Sequence, residues 1–410
     1  MRKGRLVLQN WRTVVRAAWI VAFSLCACSP VDVVKDAQRA EFRIAEANCY
    51  GGELSACGPL AQRYEAGQGT QADVAKAGVL YEEACRGGDQ AACGRLGRML
   101  RIGVGMVRDE RRAADLLSVA CRAGDLPACV QWGVMHEMGV GVPINTGLAL
   151  RLYNMACDAK DAVGCSHLGE MFEGGVEVTQ DLYRAAELYG FSCNAGYPPA
   201  CAHLGTMFEG GRGAPRDRSR ALALYEQACN LGAGSGCLLM GLMYHKGTGV
   251  GIDESKARDL FVKACDVGHA VGCAFAVRLF EGGSGIVADV GLAEKYRLRG
   301  CLYGSGTMCF DLSERCLGAS AKCEANAAWR YLNRACASAH ATACVNAGRI
   351  CEKGGKVGAF AVPIDSARAR ELYKRACRLG DIVGCEHDRT MRLSDCPAEG
   401  LPLAATPVSP

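Results

Sequence analysis

Paired cysteines eight positions apart recur along nearly the whole chain and set its repeat length. Ten such pairs occur, and their first members follow one another every 36 residues from position 49 to position 301, then after 35 and after 41 residues. A fixed period of roughly 20 to 50 residues indicates a solenoid, in which each repeat packs only against its neighbours. The 410 residues are therefore expected to form one array of repeats rather than several globular domains.

Each repeat has the pattern of two short helices. In one unit, residues 200–209 carry apolar or small side chains at helical spacing, and a glycine-rich loop follows them. A second helical pattern runs from Asp217, which can cap a helix, to Cys229. We call these two segments helix A and helix B. The second cysteine of each pair opens the next helix A after a tight turn.

The amino terminus has the pattern of an export signal. A basic stretch leads into an apolar run at residues 17–27, which is too short to span a bilayer but suits a signal peptide. The run ends in Leu25-Cys26-Ala27-Cys28, which resembles a bacterial lipobox. Residues 1–27 would then be a lipoprotein signal peptide and Cys28 the lipidated residue; an ordinary signal peptide or a membrane anchor is the alternative. Ser29 after Cys28 favours the outer membrane by analogy.

The net charge indicates which partners the chain can bind, and the cysteine content indicates the cellular compartment in which it folds. The formal charge of the whole chain is +4, and the five basic residues before Cys28 account for more than all of it, which leaves −1 for residues 28–410. A near-neutral mature chain gives no case for binding nucleic acid. The 26 cysteines, most of them in regular pairs, indicate an oxidising compartment outside the cytoplasm.

These patterns predict the order of segments along the chain. The predicted segments are a signal peptide at 1–27, a tether at 28–35, an N-terminal capping helix at 36–54, nine helix pairs at 55–381, a C-terminal capping helix at 382–396, and a disordered tail at 397–410. Capping units are expected because the end repeats of a solenoid must cover an open core.

The repeat pattern resembles a known family. A-x-x-L-G-x-M-F/Y-E-x-G-x-G-V, an aspartate-containing loop, and then A-x-x-L/F-Y-x-x-A resemble the Sel1-like repeat, a relative of the tetratricopeptide repeat. The cysteine pair in each unit narrows the resemblance to the Helicobacter cysteine-rich proteins, a secreted subfamily. The resemblance covers residues 36–393. It implies an all-α fold: a right-handed α/α superhelix, or solenoid, with a concave binding surface and one disulfide per repeat.

Under this resemblance the ten cysteine pairs would be disulfides. One cysteine closes helix B and the other opens the next helix A, so their Cα atoms should fall within the roughly 4.4 to 6.8 Å that a disulfide requires. Metal binding is the rival interpretation, and it fits poorly because the pairs lack nearby partner ligands. The cysteines concerned are Cys49, Cys57, Cys85, Cys93, Cys121, Cys129, Cys157, Cys165, Cys193, Cys201, Cys229, Cys237, Cys265, Cys273, Cys301, Cys309, Cys336, Cys344, Cys377 and Cys385.

Four further cysteines of the mature chain lie outside this pattern. Cys323 lies in the loop after Cys316, which favours a local Cys316–Cys323 disulfide. Cys351 and Cys396 would then form the remaining pair, because the final half-unit should stack beside the helix that ends near Cys351.

No motif with the spacing of an active site, a cofactor site or a metal site occurs, so we assign no catalytic residue, cofactor or metal ligand. His167, His203 and His387 share one position, two residues after the second cysteine. This position is either a solvated helix face or a contact with a ligand. Glutamates that recur by repeat, such as Glu173 and Glu209, are interpreted as capping or loop residues.

Function is therefore expected on the variable faces of helix A, which usually line the concave surface of a solenoid. The candidate binding face comprises Arg95, Arg98, Trp132, His136, His167, Glu170 and His203. Trp132 is of interest because tryptophan is enriched at interface hot spots; alternatively, it packs beneath a neighbouring helix.

The leading hypothesis is a non-enzymatic adaptor that binds a protein or peptide and is attached to a membrane through lipid on Cys28. It would be an exported outer-membrane lipoprotein that faces the periplasm or the cell surface. Members of the similar Helicobacter group are described as penicillin-binding proteins with weak β-lactamase activity, so the resemblance implies that activity as a rival. No residue here supports an acylating serine or a zinc site for it. A peptidoglycan or glycan binder is a third alternative.

Overall fold

The computed structural model describes residues 30–394 except 283–286, 318–322, 325 and 358–359, and it describes side chains between residues 36 and 391. Within these ranges the chain forms twenty helices and one two-stranded hairpin. The described residues divide into two compact units, the first ending at residue 180 and the second beginning at residue 181. None of the described helices combines the length and apolar character needed to cross a bilayer.

The first unit contains eight helices. They are α1 (Pro30–Tyr50), α2 (Leu54–Ala66), α3 (Val74–Arg86), α4 (Gln90–Ile102), α5 (Glu110–Arg122), α6 (Leu126–Met138), α7 (Thr146–Asp158) and α8 (Ala162–Gly174). Helices α2, α4, α6 and α8 are helix A of successive repeats, and α3, α5 and α7 are helix B.

The second unit contains the other twelve helices and the hairpin. They are α9 (Leu182–Asn194), α10 (Pro198–Gly210), α11 (Arg218–Asn230), α12 (Gly234–Lys246), α13 (Glu254–Asp266), α14 (Ala270–Phe280), α15 (Val290–Leu302), α16 (Gly306–Leu317), α17 (Ala327–Ala337), α18 (Ala341–Lys353), β1 (Gly355–Val357), β2 (Phe360–Val362), α19 (Ser366–Arg378) and α20 (Ile382–Ser394). Odd-numbered helices from α9 to α19 are helix B, and even-numbered helices from α10 to α18 are helix A.

Aspartates and glycines set the helix boundaries. The side chain of Asp217 accepts a hydrogen bond from the backbone N–H of Arg220 at the start of α11, and aspartate caps most other B helices in the same way. The third residue after the first cysteine has a φ between 86° and 99° in eight repeats, where it is glycine. Lys160 and Ala339 fill this position with φ values of 65° and 62° in the other two repeats. Glycine is preferred there because it lacks a Cβ atom.

Glycines inside helix A allow the paired helix B to approach closely. A Cβ atom on Gly205 would lie 2.5 Å from the Tyr225 ring, and one on Gly348 would lie 2.8 Å from the Tyr373 ring. Both tyrosines are fully buried. In these repeats the small residues of helix A therefore make room for the large aromatic side chain of helix B, which fills the core.

Disulfides connect each helix B to the next helix A. All ten pairs of the eight-residue spacing are bonded in the structure, with Cα atoms 4.4 to 4.8 Å apart. Cys316 and Cys323 form an additional disulfide. The fold class predicted above, an all-helical repeat fold with about one disulfide per repeat, is confirmed. Cys351 is buried and has no partner among the described cysteines; Cys28 and Cys396, expected to carry lipid and to pair with Cys351, lie outside the described residues.

Two elements differ from the sequence expectation. Residues 30–35, which we expected to be a tether, are the first turns of α1. Proline at a first helical position is favourable because its missing N–H has no partner there in any case. The hairpin β1–β2, with Gly355 opposite Val362, replaces the glycine loop of the last repeat and accounts for its 41-residue spacing. Val357 and Val362 are buried against the core of the second unit.

Candidate functional site

All seven residues of the candidate binding face lie on helix A, and all are half-buried. Six of them belong to the first unit and lie pairwise on α4, α6 and α8; His203 lies on α10 of the second unit. On α6 the rings of Trp132 and His136 meet edge to face with centroids 5.4 Å apart. On α8 the Nδ1 atom of His167 is 3.0 Å from a carboxylate oxygen of Glu170.

Trp132 lies in a core position. It is the third residue after the second cysteine, where Leu96 and Leu168 are buried in neighbouring repeats. Its side chain packs against the cluster of Cys121, Cys129 and Leu152. This packing favours the structural alternative for Trp132, although the side chain is half-buried rather than fully enclosed.

The shared histidine position is a stacking position. His167 stacks on Tyr153 with ring centroids 5.0 Å apart and planes 18° from parallel, and His387 stacks on Tyr373 at 4.5 Å and 13°. The same position holds Arg95, whose guanidinium lies 5.9 Å from the centroid of the Tyr81 ring. Residues at this position therefore cover the aromatic side chain of the preceding helix B, which explains why they are half-buried rather than solvated.

Each of these tyrosines also has a carboxylate partner. Tyr81 donates its hydroxyl hydrogen bond to Glu65 at 2.6 Å, and Tyr225 donates to Glu209 at 2.8 Å. Burial first, and then the hydrogen bond to the carboxylate, raise the pKa of each tyrosine, so both phenols stay protonated. The interpretation of recurrent glutamates as capping or loop residues missed this role. A signal was present, because glutamate precedes tyrosine by 16 residues in several repeats.

One repeat replaces the tyrosine of this layer with a charged side chain. Arg297 occupies the tyrosine position of α15 and is only 3% exposed. It contacts Glu281 in the glutamate position, Asp311 in the histidine position, and Glu294 at 2.6 Å on its own helix. The arginine and the aspartate thus form a coupled pair of substitutions relative to the other repeats.

An open cleft of about 480 Å³ lies between α4 and the start of α6 in the first unit. Gln90, Gly94, Arg95 and Arg98 line it on one side and the turn at 123–128 on the other. The guanidinium of Arg98 has no hydrogen bond or ion pair with any described residue. The Oε1 atom of Gln90 is buried and also lacks a hydrogen-bond partner among described residues. The cleft therefore offers a cationic donor, Arg98, whose bonding capacity is unused among described residues.

Neighbouring arginines differ in how their charge is compensated. Arg95 donates to Glu65 at 3.2 Å. Arg101 and Leu117 take the positions that Glu65 and Tyr81 have in the preceding repeat. The buried Nε atom of Arg101 lacks a hydrogen-bond partner among described residues. Burial first, and then the charge of Arg108, lower the pKa of Arg101. The α4 face is consequently rich in unneutralised positive charge.

Two histidines outside the candidate face cap helices. His269 accepts a hydrogen bond at Nδ1 from the backbone N–H of Gly272, and His340 accepts one from Ala343, at 3.3 and 3.2 Å. Other A helices use aspartate at this position, such as Asp125. Burial lowers the pKa of both histidines, so the folded chain favours the neutral imidazole that can accept this bond.

We expect these two caps to make stability depend on pH. Their contribution is complete above the ordinary histidine pKa of about 6.5 and is lost as the pH falls through the depressed folded pKa. Each lost cap should cost about 1 kcal/mol. Urea unfolding at pH 7.5 and pH 5.0 measures the effect. The double variant His269→Asp, His340→Asp should lose less stability at pH 5.0 than the wild type, and an equal loss in both would contradict the assignment.

The matches to a known protein family coincide with the repeats of this chain. The family model for the Sel1 repeat matches seven segments, which together cover more than half of the chain. These are residues 55–89, 90–125, 126–161, 162–197, 198–232, 234–269 and 341–381. No curated protein sequence matches the chain.

Several solved structures have a similar fold. A Sel1 repeat protein from Oxalobacter formigenes has a TM-score of 0.50 and 21% identity, covering 56% of this chain and 96% of its own. A protective antigen of uropathogenic Escherichia coli with an SLR fold has a TM-score of 0.44 and 21% identity, covering 85% and 82%. Cysteine-rich protein B of Helicobacter pylori has a TM-score of 0.27 and 26% identity, covering 32% and 93%. The similarity to the Oxalobacter formigenes protein supports the helical repeat fold described above.

Proposed function

This chain belongs to the Sel1 repeat family, and we propose that it is a lipid-anchored envelope protein that binds a protein or peptide through the faces of successive A helices. Proteins of such repeats expose long, variable surfaces suited to this purpose. The disulfides indicate an oxidising, exported environment. The lipobox-like sequence at Cys28 supports attachment to the outer membrane.

The α4–α6 cleft is the observation that carries this proposal. Arg98 lines this cleft and supplies a positively charged group that can donate several hydrogen bonds. An acidic side chain of a polypeptide would accept hydrogen bonds from Arg98 and neutralise its charge.

The test uses the full chain with a photo-crosslinking residue at position 91, which lines the same cleft. Crosslinking in the native envelope should capture a defined partner, identified by mass spectrometry. Arg98→Glu should weaken binding of that purified partner about tenfold or more, as truncation of interface hot spots does. Arg122→Glu is the control, because Arg122 is exposed on helix B of the same unit and changes the charge equally.

Equal affinity of the wild type and Arg98→Glu for the captured partner would overturn the assignment of the cleft. An equal loss in Arg122→Glu would mean that only overall charge matters. Urea unfolding of both variants verifies that each remains folded.

A further inference from the structure

Positive charge is concentrated near the carboxyl end of the repeats. Residues 327–378 contain ten lysines and arginines and three acidic residues, a net charge of +7, whereas residues 28–410 together carry −1. The segment comprises α17, α18, the hairpin and α19. The arginines of its two B helices differ from those of earlier repeats in the groups that they contact.

The first difference concerns an arginine near the start of helix B. In the first unit Arg112 donates to the carboxylate of Glu82 in the preceding helix B at 2.7 Å. Arg368 has the same position in α19. The residue that corresponds to Glu82 is Asn333, whose amide oxygen accepts the bond at 2.9 Å. The bond is kept and the neutralising charge is lost.

The second difference concerns an arginine near the end of helix B. Arg299 of α15 pairs with the carboxylate of Asp266. Arg375 has the same position in α19 and donates instead to the backbone carbonyl of Ala337 at 2.8 Å, since alanine has replaced the aspartate. Arg334 of α17 likewise donates to the backbone carbonyl of Leu302 at 2.8 Å. Neutral oxygens hold these guanidinium groups in place without cancelling their charge.

These side chains share one surface. Arg368, Arg375 and Arg378 line an open cleft of about 580 Å³ between α17 and α19, together with Asn333. Two carboxylates line it as well: Asp365, which caps α19, and Glu371. Three arginines against two carboxylates leave this cleft with an excess of positive charge. Arg334 is exposed elsewhere on α17.

Exposed apolar side chains lie at both ends of α19. Ile364 precedes the helix and is 68% exposed, and Ile382, four residues after the helix ends, is 75% exposed. Leu379 and Val383 are also exposed. Arginines between exposed aliphatic side chains suit a lipid interface, where the cations approach headgroups and the aliphatic groups enter the acyl boundary.

We propose that the basic surface of α17 and α19 docks on a membrane that contains anionic phospholipid, through guanidinium contacts to headgroup phosphates. Arginine suits this role because its planar fork donates two parallel hydrogen bonds to one phosphate. An acidic protein would find the same charges but would leave the separated apolar side chains without a matching surface. This surface is independent of the α4–α6 cleft, and neither proposal depends on the other.

Sedimentation of the full chain with phospholipid vesicles tests the proposal. One set of vesicles contains phosphatidylcholine with 30% phosphatidylglycerol. A second set contains phosphatidylcholine alone and gives the baseline binding that does not depend on anionic headgroups. The test variant combines Arg334→Gln, Arg368→Gln, Arg375→Gln and Arg378→Gln. The matched control combines Arg112→Gln, Arg184→Gln, Arg220→Gln and Arg299→Gln, four arginines that pair with carboxylates in other repeats.

The wild type and the control variant should bind the anionic vesicles equally, and the test variant should bind about tenfold or more weakly, since each basic residue near the surface adds to the attraction. Binding should also weaken with added salt. The proposal is overturned if anionic vesicles bind no better than the baseline, if both variants lose affinity equally, or if the wild type binds poly-glutamate but not the anionic vesicles.

Discussion

Arg297→Ala is expected to lower the free energy of unfolding by about 3 kcal/mol, because removing one partner of a buried ionic group leaves the others uncompensated. Glu281, Glu294 and Asp311 would then lie close together without their shared cation. Arg315, which contacts Glu281 at 3.2 Å, is half-exposed and would neutralise only part of that charge. Urea unfolding followed by helical circular dichroism measures the loss.

The neighbouring repeats supply the control for this prediction. The double variant Arg297→Tyr, Asp311→His recreates the layer seen at Glu352, Tyr373 and His387. Glu281 would accept the new hydroxyl hydrogen bond, so the double variant should lie within about 1.5 kcal/mol of the wild type. If Arg297→Ala unfolds at the wild-type urea concentration, the charged layer does not stabilise this repeat.

Removing one repeat disulfide, by Cys265→Ala with Cys273→Ala, should destabilise the chain by about 2.5 kcal/mol, the chain-entropy value for so short a loop. Alanine is chosen because both cysteines are fully buried, and a serine hydroxyl there would add the cost of an unpaired polar group. Urea unfolding without reductant measures the difference from the wild type.

Reduction provides the internal control for the disulfide. With excess reductant the wild type loses the same covalent link, so the difference between the two proteins at this repeat should largely vanish. A difference that persists under reduction would come from the lost sulfur packing, and no difference without reductant would show that this disulfide does not stabilise the fold.

Much of the architecture could be predicted from residues close together in the chain. Cysteine spacing gave the repeat length, and apolar periodicity located the helix pairs. Aspartate and glycine marked helix boundaries because capping involves residues only a few positions apart. Residues 30–35 are an exception: the sequence predicts a tether, whereas these residues form the first turns of α1, in which Pro30 suits the first helical position.

The candidate site was less predictable because its contacts join positions far apart in the chain. The sequence placed Arg95, Arg98, Trp132 and His167 on helix A, but it did not distinguish a ligand contact from a core contact. The structure shows Trp132 in a core position and His167 stacked on Tyr153. It also shows the unused bonding capacity of Arg98 and Gln90, which depends on what every neighbouring side chain already contacts.

The sequence by itself determined the solenoid class, the repeat length and the pairs of cysteines, because each follows from composition or from short-range spacing. Tertiary structure alone decided the roles of the side chains between the cysteines. Glu281 follows the end of α14, whereas Arg297 lies on α15 and Asp311 on α16, and only the stacking of these helices brings their charges together. The same holds for Arg375. It donates to the neutral backbone carbonyl of Ala337 in the preceding helix B, whereas Arg299 at the same position pairs with the carboxylate of Asp266. The paired cysteines hold these helices at a fixed spacing, and the side chains between them then determine what each surface can bind.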